Sequence, residues 1–311
     1  MSTEGGAKAV VAAMLANGGI AITKFLAFFA TGSSSMLSEA VHSVADTCNQ
    51  GLLLIGGKRS KRAADDTHQF GYGRTRYVYA FIVAIIIFLL GGVFSLYEGW
   101  HKFHFPEELS KVWIAYLVLI ISIFLEGFSF RTALREANKS RGSRSLLRYI
   151  RDARQPELPT VLLEDAGALT GLCFALVGVT MAEVTGDPRW DGVGAMAVGC
   201  LLVVIAVFLA FEMSSMLIGE SALPEEETRI RTALAGTPGV ESIIHMRTLH
   251  TGPDQLLVGA KIAFPPAITA EQVADTIDEA EARIRAEMPT SKWIYLEPDI
   301  RRADSPAGPS G

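Results

Sequence analysis

SSMLSEAVHSVADTCNQ, residues 34–50, interrupts a run that is otherwise almost entirely apolar. Its polar members Ser35, Glu39, His42, Asp46 and Asn49 follow one another at steps of four, three, four and three. That spacing puts all five on one face of a helix. His42 and Asp46 are one turn apart, so both side chains can reach the same small ion. Inside a membrane such a stripe is costly and usually functional. The fold therefore turns on whether the surrounding sequence is that of a membrane protein.

Half of the 311 residues are hydrophobic, and the mean hydropathy is +0.30. Between residues 10 and 218 the apolar residues gather in blocks of roughly 20, the length that crosses a bilayer. The blocks run over about 9–30, 35–57, 77–97, 112–130, 159–184 and 193–218, and the fourth continues as a polar helix toward Asn138. Six spans with short links put both termini on one side. The link after the second block carries Lys58, Arg59, Lys61, Arg62, Arg74 and Arg76. The link after the fourth carries Arg131, Arg135, Lys139, Arg141, Arg144, Arg148, Arg151 and Arg154. The third link has only Lys102 and Lys111, and the fifth only Arg189. Basic and poor links alternate, so the positive-inside rule places the basic links and both termini in the cytoplasm. A bacterial inner membrane and a eukaryotic organelle both satisfy this pattern, and the bacterial one is the first choice.

The net charge of −5 averages basic links and an acidic tail. No basic stripe interleaved with aromatics occurs, which argues against a nucleic-acid partner. Cys48, Cys173 and Cys200 lie in apolar blocks without CxxC spacing. They read as small buried hydrophobes, without disulfides. The first residues, 1–8, read as a frayed polar lead. They lack a basic n-region and a cleavage site, so no removable signal peptide is expected.

From Pro224 the composition is that of a soluble α+β domain. PEEETRIRTALAGTPGV reads as a helix with acids in its first turn and glycines after it. Residues 242–249 and 256–264 alternate like paired strands joined by HTGPD. Residues 269–287 read as a second helix with Thr269 and Gln272 as a capping box, and 292–296 as a last strand. The expected architecture is an all-α membrane domain of six transmembrane helices, 9–220, then a small cytoplasmic open-faced sandwich, 221–300. Residues 301–311, rich in Pro, Gly and Ser, read as disordered.

SEAVHSVAD after a first apolar span, and HQFGYGR before the third, resemble the cation diffusion facilitator family of divalent-metal/proton antiporters. The likeness covers nearly the whole chain. It implies a homodimer held through the cytoplasmic domain, and a mid-membrane metal site of two residues four apart on helix two and two on helix five. His42 and Asp46 match the helix-two pair. In TVLLEDAGALTGL, Asp165 matches the helix-five aspartate, but the position four before it is Val161, which cannot bind a metal. A fourth ligand to complement His42, Asp46 and Asp165 can come from Glu164, Glu126, Glu39 or water. Glu164 and Asp165 are neighbours, about 100° apart on a helix, and do not easily point at one site.

Imidazole nitrogen and carboxylate oxygen suit tetrahedral zinc, and such a set also suits manganese, iron(II) or cobalt. The ligands must be deprotonated, so protons and metal compete for the same groups. That competition is the physical basis of an antiport with protons as counter-ion. Glu126 and Glu39 are candidates for proton coupling or support, and Glu39 can instead pair with Lys24. His68, near Asp65 and Asp66, is a candidate loop metal ligand. Arg74 and Glu220 lie near positions that form a charge interlock in relatives, and read equally as two ordinary juxtamembrane charges. An intramembrane metalloenzyme is disfavoured, because there is no HExxH motif. The competing reading is a membrane sensor or scaffold that binds metal without transporting it.

Overall fold

A computed structural model of the chain describes the backbone of residues 3–109 and 111–301, and the side chains of 17–109, 111–139 and 141–301. The expected disordered tail, 301–311, falls outside the described residues apart from Arg301. Contacts divide the chain into two compact units. One is Met1–Arg59 with Arg76–Ser214; the other is Ser60–Thr75 with Ser215–Gly311.

The first unit is helical. Its elements are α1 (Thr3–Thr31), α2 (Ser34–Ser60), α3 (Thr75–Ile86), a π-helical segment (Ile87–Val93), α4 (Phe94–His104), α5 (Val112–Arg141), α6 (Leu146–Asp152), α7 (Glu157–Thr185) and α8 (Arg189–Ile218). α3, the π segment and α4 form one rod, Thr75–His104. This rod, Val112–Lys139, Glu157–Thr185 and Arg189–Ile218 are the four helices long and apolar enough to cross a bilayer among the described residues. α1 and α2 are 29 and 27 residues long, which is sufficient to span. The polar stripe and basic end of α2 lower its hydropathy, while α1 turns Ile22, Leu26 and Phe29 outward. Phe124, Phe128 and Phe211 are likewise about three-quarters exposed. Such an outward apolar surface belongs in lipid, which solvates it as a core would.

That solvent overturns one expectation, and the helix starts overturn another. Cys48, Cys173 and Cys200 are free, but they are exposed on outer helix faces rather than buried. At membrane depth an apolar residue gains nothing extra by facing inward. α1 also begins at Thr3, inside the stretch read as a frayed lead; no proline there stops a helix. α6 was not anticipated in the basic stretch 140–154. It is a single short helix whose first turn is capped by Ser145, which accepts from the Arg148 N–H at 3.3 Å. α7 tolerates Pro159 because it sits in the first turn, where an N–H has no intrahelical partner.

Inside the bundle, Ala27 of α1 and Met36 of α2 pack with Leu119 of α5 and Leu172 and Ala175 of α7. Val83, Ala84 and Ile87 pack on Val198, Leu202 and Ala206 of α8. α4 and α8 meet backbone to backbone. A Cβ on Gly99 would lie 2.6 Å from the Gly192 carbonyl oxygen, and one on Gly199 2.7 Å from the Leu96 nitrogen. Small residues permit this approach, as membrane helix pairs require.

The start of α2 is held from a distance. Asp191, in the first turn of α8, accepts from Ser33 Oγ at 2.8 Å, from the Ser34 N–H at 2.7 Å and from the Ser35 N–H at 3.3 Å. Ser35 Oγ donates to the Asp191 carbonyl at 2.9 Å. The free N–H groups of a helix start, and the positive end of its dipole, thus receive a carboxylate from another helix. All four residues are buried.

The second unit contains α9 (Pro224–Ala235), β1 (Ser242–Gly252), β2 (Gln255–Ala263), α10 (Ala270–Glu287) and β3 (Ser291–Asp299). β2 is central, antiparallel to β1 and parallel to β3. Thr269 and Gln272 form the expected capping box of α10. Ile230 and Leu234 of α9, Ala280 and Ile284 of α10, and Val258 and Ile262 of β2 share one core, as expected of a sheet covered on one face. The 60–75 link, which the sequence reading included in the membrane domain, packs with this unit. Phe70 meets Trp293 edge-on at 5.5 Å. A Cβ on Gly73 would lie 2.7 Å from the Thr251 carbonyl oxygen, so glycine is required where the link crosses the β1–β2 turn.

Asp191→Ala leaves buried donors at the start of α2 without their acceptor. Full-length protein in detergent is expected to lose about 2–3 kcal/mol of stability, read as a lowered midpoint of thermal unfolding. An unchanged midpoint would show that the carboxylate does not hold α2.

Candidate metal centre

α2 displays its stripe inward. Glu39, His42 and Asn49 are buried, and Asp46 is nearly so. His42 Nε2 lies 3.4 Å from Asp46 Oδ2, the expected contact for helix positions four apart. Both His42 ring nitrogens and Asp46 Oδ1 are buried without a hydrogen-bond partner among the described residues. Buried polar atoms are rarely left unpaired, and this pair has nitrogen and oxygen atoms available to hold a cation. Opposite it, Gly91 of the π segment faces the ring: a Cβ there would make ordinary contact with His42 Nδ1 at 3.7 Å, while its close approach, 2.9 Å, is to the Leu202 side chain of α8. π segments occur disproportionately at functional positions.

The two acids of α7 diverge, as neighbours on a helix must. Glu164 is buried and its Oε1 accepts from Asn49 Nδ2 of α2 at 2.8 Å. Asp165 is half-buried, and its Oδ2 accepts from Ser129 Oγ of α5 at 2.8 Å. Glu126, one turn before Ser129, is half-buried within electrostatic range of Asp165 and Asp46. Val161 is packed among apolar residues of α5, α6 and α7. Among the described residues no three His, Cys, Asp or Glu side chains converge closely enough to hold a metal. The bundle brings His42, Asp46, Glu164, Asp165 and Glu126 into one region, and in this arrangement only His42 and Asp46 face each other. Asn49 and Ser129 are the residues that aim the α7 acids. The stripe on α2 signalled Asn49, whereas nothing local to Ser129 singled it out.

Glu39 lies within electrostatic range of His42 and Asp46 but is engaged by a cation. Its Oε2 is paired with Lys24 Nζ of α1 at 3.1 Å, and Lys24 also donates to Ser43 Oγ at 2.8 Å. In the link, His68 is about half-exposed, with Nδ1 3.6 Å from Asp65 Oδ1. Asp65 already accepts from Tyr72 Oη at 2.7 Å, the His68 N–H at 2.8 Å, the Thr67 N–H at 3.1 Å and Arg62 Nη2 at 2.9 Å. The Tyr72 hydroxyl foremost, then the His68 N–H, hold its carboxyl below the ordinary value. The acid beside His68 is thus occupied in shaping the loop. Arg74 Nη2 donates to the His250 carbonyl at 3.4 Å, and the His250 N–H donates to the Glu220 carbonyl at 2.8 Å. These two residues of the expected interlock therefore meet β1 at the same backbone position.

Residues 10–218 match the model of the cation efflux transmembrane domain, and residues 222–299 that of the cation efflux protein cytoplasmic domain. The mouse (Mus musculus) proton-coupled zinc antiporter SLC30A9, mitochondrial, is 32% identical over 277 residues, 88% of this chain and 49% of that protein. The cation-efflux pump FieF of Pectobacterium atrosepticum is 25% identical over 288 residues, 90% of this chain and 88% of that protein. The solved structure MamM-CTD 215-293 shares 22% identity, covering 25% of this chain and 96% of that one, with a TM-score of 0.24. The chain spans about half the length of the SLC30A9 relatives it matches. With two adjoining family models accounting for the membrane helices and the soluble domain alike, the chain belongs to the cation efflux, or cation diffusion facilitator, family.

Proposed function

We propose that the chain exports a divalent cation from the cytoplasm in exchange for protons, by alternating access, with zinc the first candidate and manganese, iron(II) or cobalt next. The observation that carries this reading is the buried His42–Asp46 pair with its unpartnered donor atoms. A neutral imidazole and carboxylates bind such an ion and release it when protonated. The SLC30A9 relatives, described as proton-coupled zinc antiporters, support both zinc and the counter-ion. α1 and α2 join the four apolar rods as spans, giving six, with both termini cytoplasmic on the strength of the basic links. The cytoplasmic domain pairs two copies into a homodimer, and the chain acts as a transporter rather than an enzyme. The bacterial inner membrane has no support from the mitochondrial relatives, and the basic links fit an organelle membrane equally.

In this mechanism His42 and Asp46 take the ion first. Glu164, Asp165 or Glu126 completes its coordination, and protons reaching the same carboxylates free it on the other side. In proteoliposomes under a pH gradient, zinc flux is expected to exceed that of manganese, iron(II) and cobalt and to collapse with the gradient. Asp46→Ala is expected to lower it by more than about tenfold. Saturable zinc binding without flux of any ion would replace the transporter with a sensor or scaffold.

Asn49 orients Glu164 as outer partners orient metal ligands. Asn49→Ala is therefore expected to weaken zinc binding by about tenfold, measured by calorimetry on the purified protein. Unchanged affinity would remove Glu164 from the ligand set.

A further inference from the structure

Lys24 and Glu39 form an ion pair with both side chains fully buried in the helical bundle. Such a pair contributes little stability beyond what apolar residues of similar size would give, so its retention calls for another reason. Glu39 stands three positions before His42 on α2, hence on the same face. Its Oε2 and Ser43 Oγ, one turn further along, are both taken by the Lys24 ammonium. Its Oε1 is buried and has no hydrogen-bond partner among the described residues. That oxygen is aimed at α7, where a Cβ on Gly171 would lie only 2.9 Å from it. Gly171 lies seven residues, about two turns, beyond Glu164 and so on the same face of α7. Glu39 thus occupies the seam between α2 and α7 that also holds the Asn49–Glu164 hydrogen bond, next to a histidine with free nitrogens.

Stripped of Lys24, Glu39 and His42 would be a carboxylate and an imidazole one turn apart, the same donor pairing as His42 and Asp46. We infer that Lys24 is a specificity-determining residue: its ammonium is a tethered cation that fills Glu39, keeps that carboxylate out of the ligand set and restricts the α2 stripe to one divalent ion. The inference rests on the reading of His42 and Asp46 as the substrate site. It adds that the adjoining acid is already occupied by the protein's own charge.

Zinc affinity and stoichiometry, measured by calorimetry on the full-length protein in detergent, test it with three variants. Lys24→Met frees Glu39, and is expected to bind a second zinc per chain or to bind one about tenfold tighter. Glu39→Gln leaves the ammonium uncompensated beside His42, and is expected to bind zinc about tenfold more weakly. Lys24→Met/Glu39→Gln removes both charges and is expected to return close to wild type. A pair that only braces α1 against α2 would give losses in both single variants and no recovery in the double. That result, or unchanged binding in all three, overturns the inference. If Lys24→Met does not fold, Glu39→Gln and the double variant decide together: weakened binding in the first that is recovered in the second supports the inference, and unchanged binding in the first or no recovery in the second overturns it. Asp46→Ala is run alongside. Zinc lost there but unmoved in the Lys24 and Glu39 variants removes this inference alone, whereas no zinc bound by the wild type removes the site it rests on.

Discussion

Placing Glu39, His42, Asp46 and Asn49 on one inward helix face of a membrane domain constrains everything packed around it. Hydrocarbon provides no hydrogen bonds, so that face must be covered by protein. The coverage is drawn from several elements. α1 contributes Lys24 to Glu39, and α7 contributes Glu164 to Asn49. The π segment sets Gly91 beside His42, and α8 contributes Asp191 to the start of the helix. The opposite faces of those helices then carry what lipid tolerates, including three cysteines. The apolar exterior follows from the polar interior, because each helix that turns a polar group toward α2 must turn its remaining surface outward.

How much of this was legible depended on range. Features set within one or two helical turns could be read directly: His42 against Asp46, Thr269 with Gln272, and the divergence of Glu164 from Asp165. The strand pairing of residues 242–264 was readable because a short turn joins its halves. Features set by residues distant in the chain were not. Asp191 lies more than a hundred residues from the serines it holds, and nothing in TGDPRWDG distinguishes it from an ordinary loop acid. The FGYG link carried a family signature, yet its packing against Trp293 and the β1–β2 turn depends on a domain encoded at the other end of the chain. The cysteines misled for a different reason. Hydrophobicity stops reporting burial once the solvent itself is apolar.

The candidate site is in a similar position. Its donors are present but aimed at different partners: Glu164 at Asn49, Asp165 at Ser129, Glu39 at Lys24. Each of the first two hydrogen bonds engages one carboxylate oxygen, and giving one up costs about 1.5–3 kcal/mol for a bond to a charged group. On the proposed function, an ion that draws in either acid has only this small cost to offset. The same small cost explains why the acids are tethered at all. Carboxylates left free beside Asp46 would repel one another in a low dielectric, and neutral donors such as Asn49 and Ser129 hold them apart at a cost small enough to be reversed. The Lys24–Glu39 pair is of another kind. Separating two opposite charges at 3.1 Å in the bundle interior exposes both to uncompensated burial, for which removal of one partner typically costs about 3–5 kcal/mol. On the proposed function the α7 acids are therefore the movable acids of this region and Glu39 the fixed one, a division set by whether the partner is a neutral amide or hydroxyl on the one hand or an ammonium on the other.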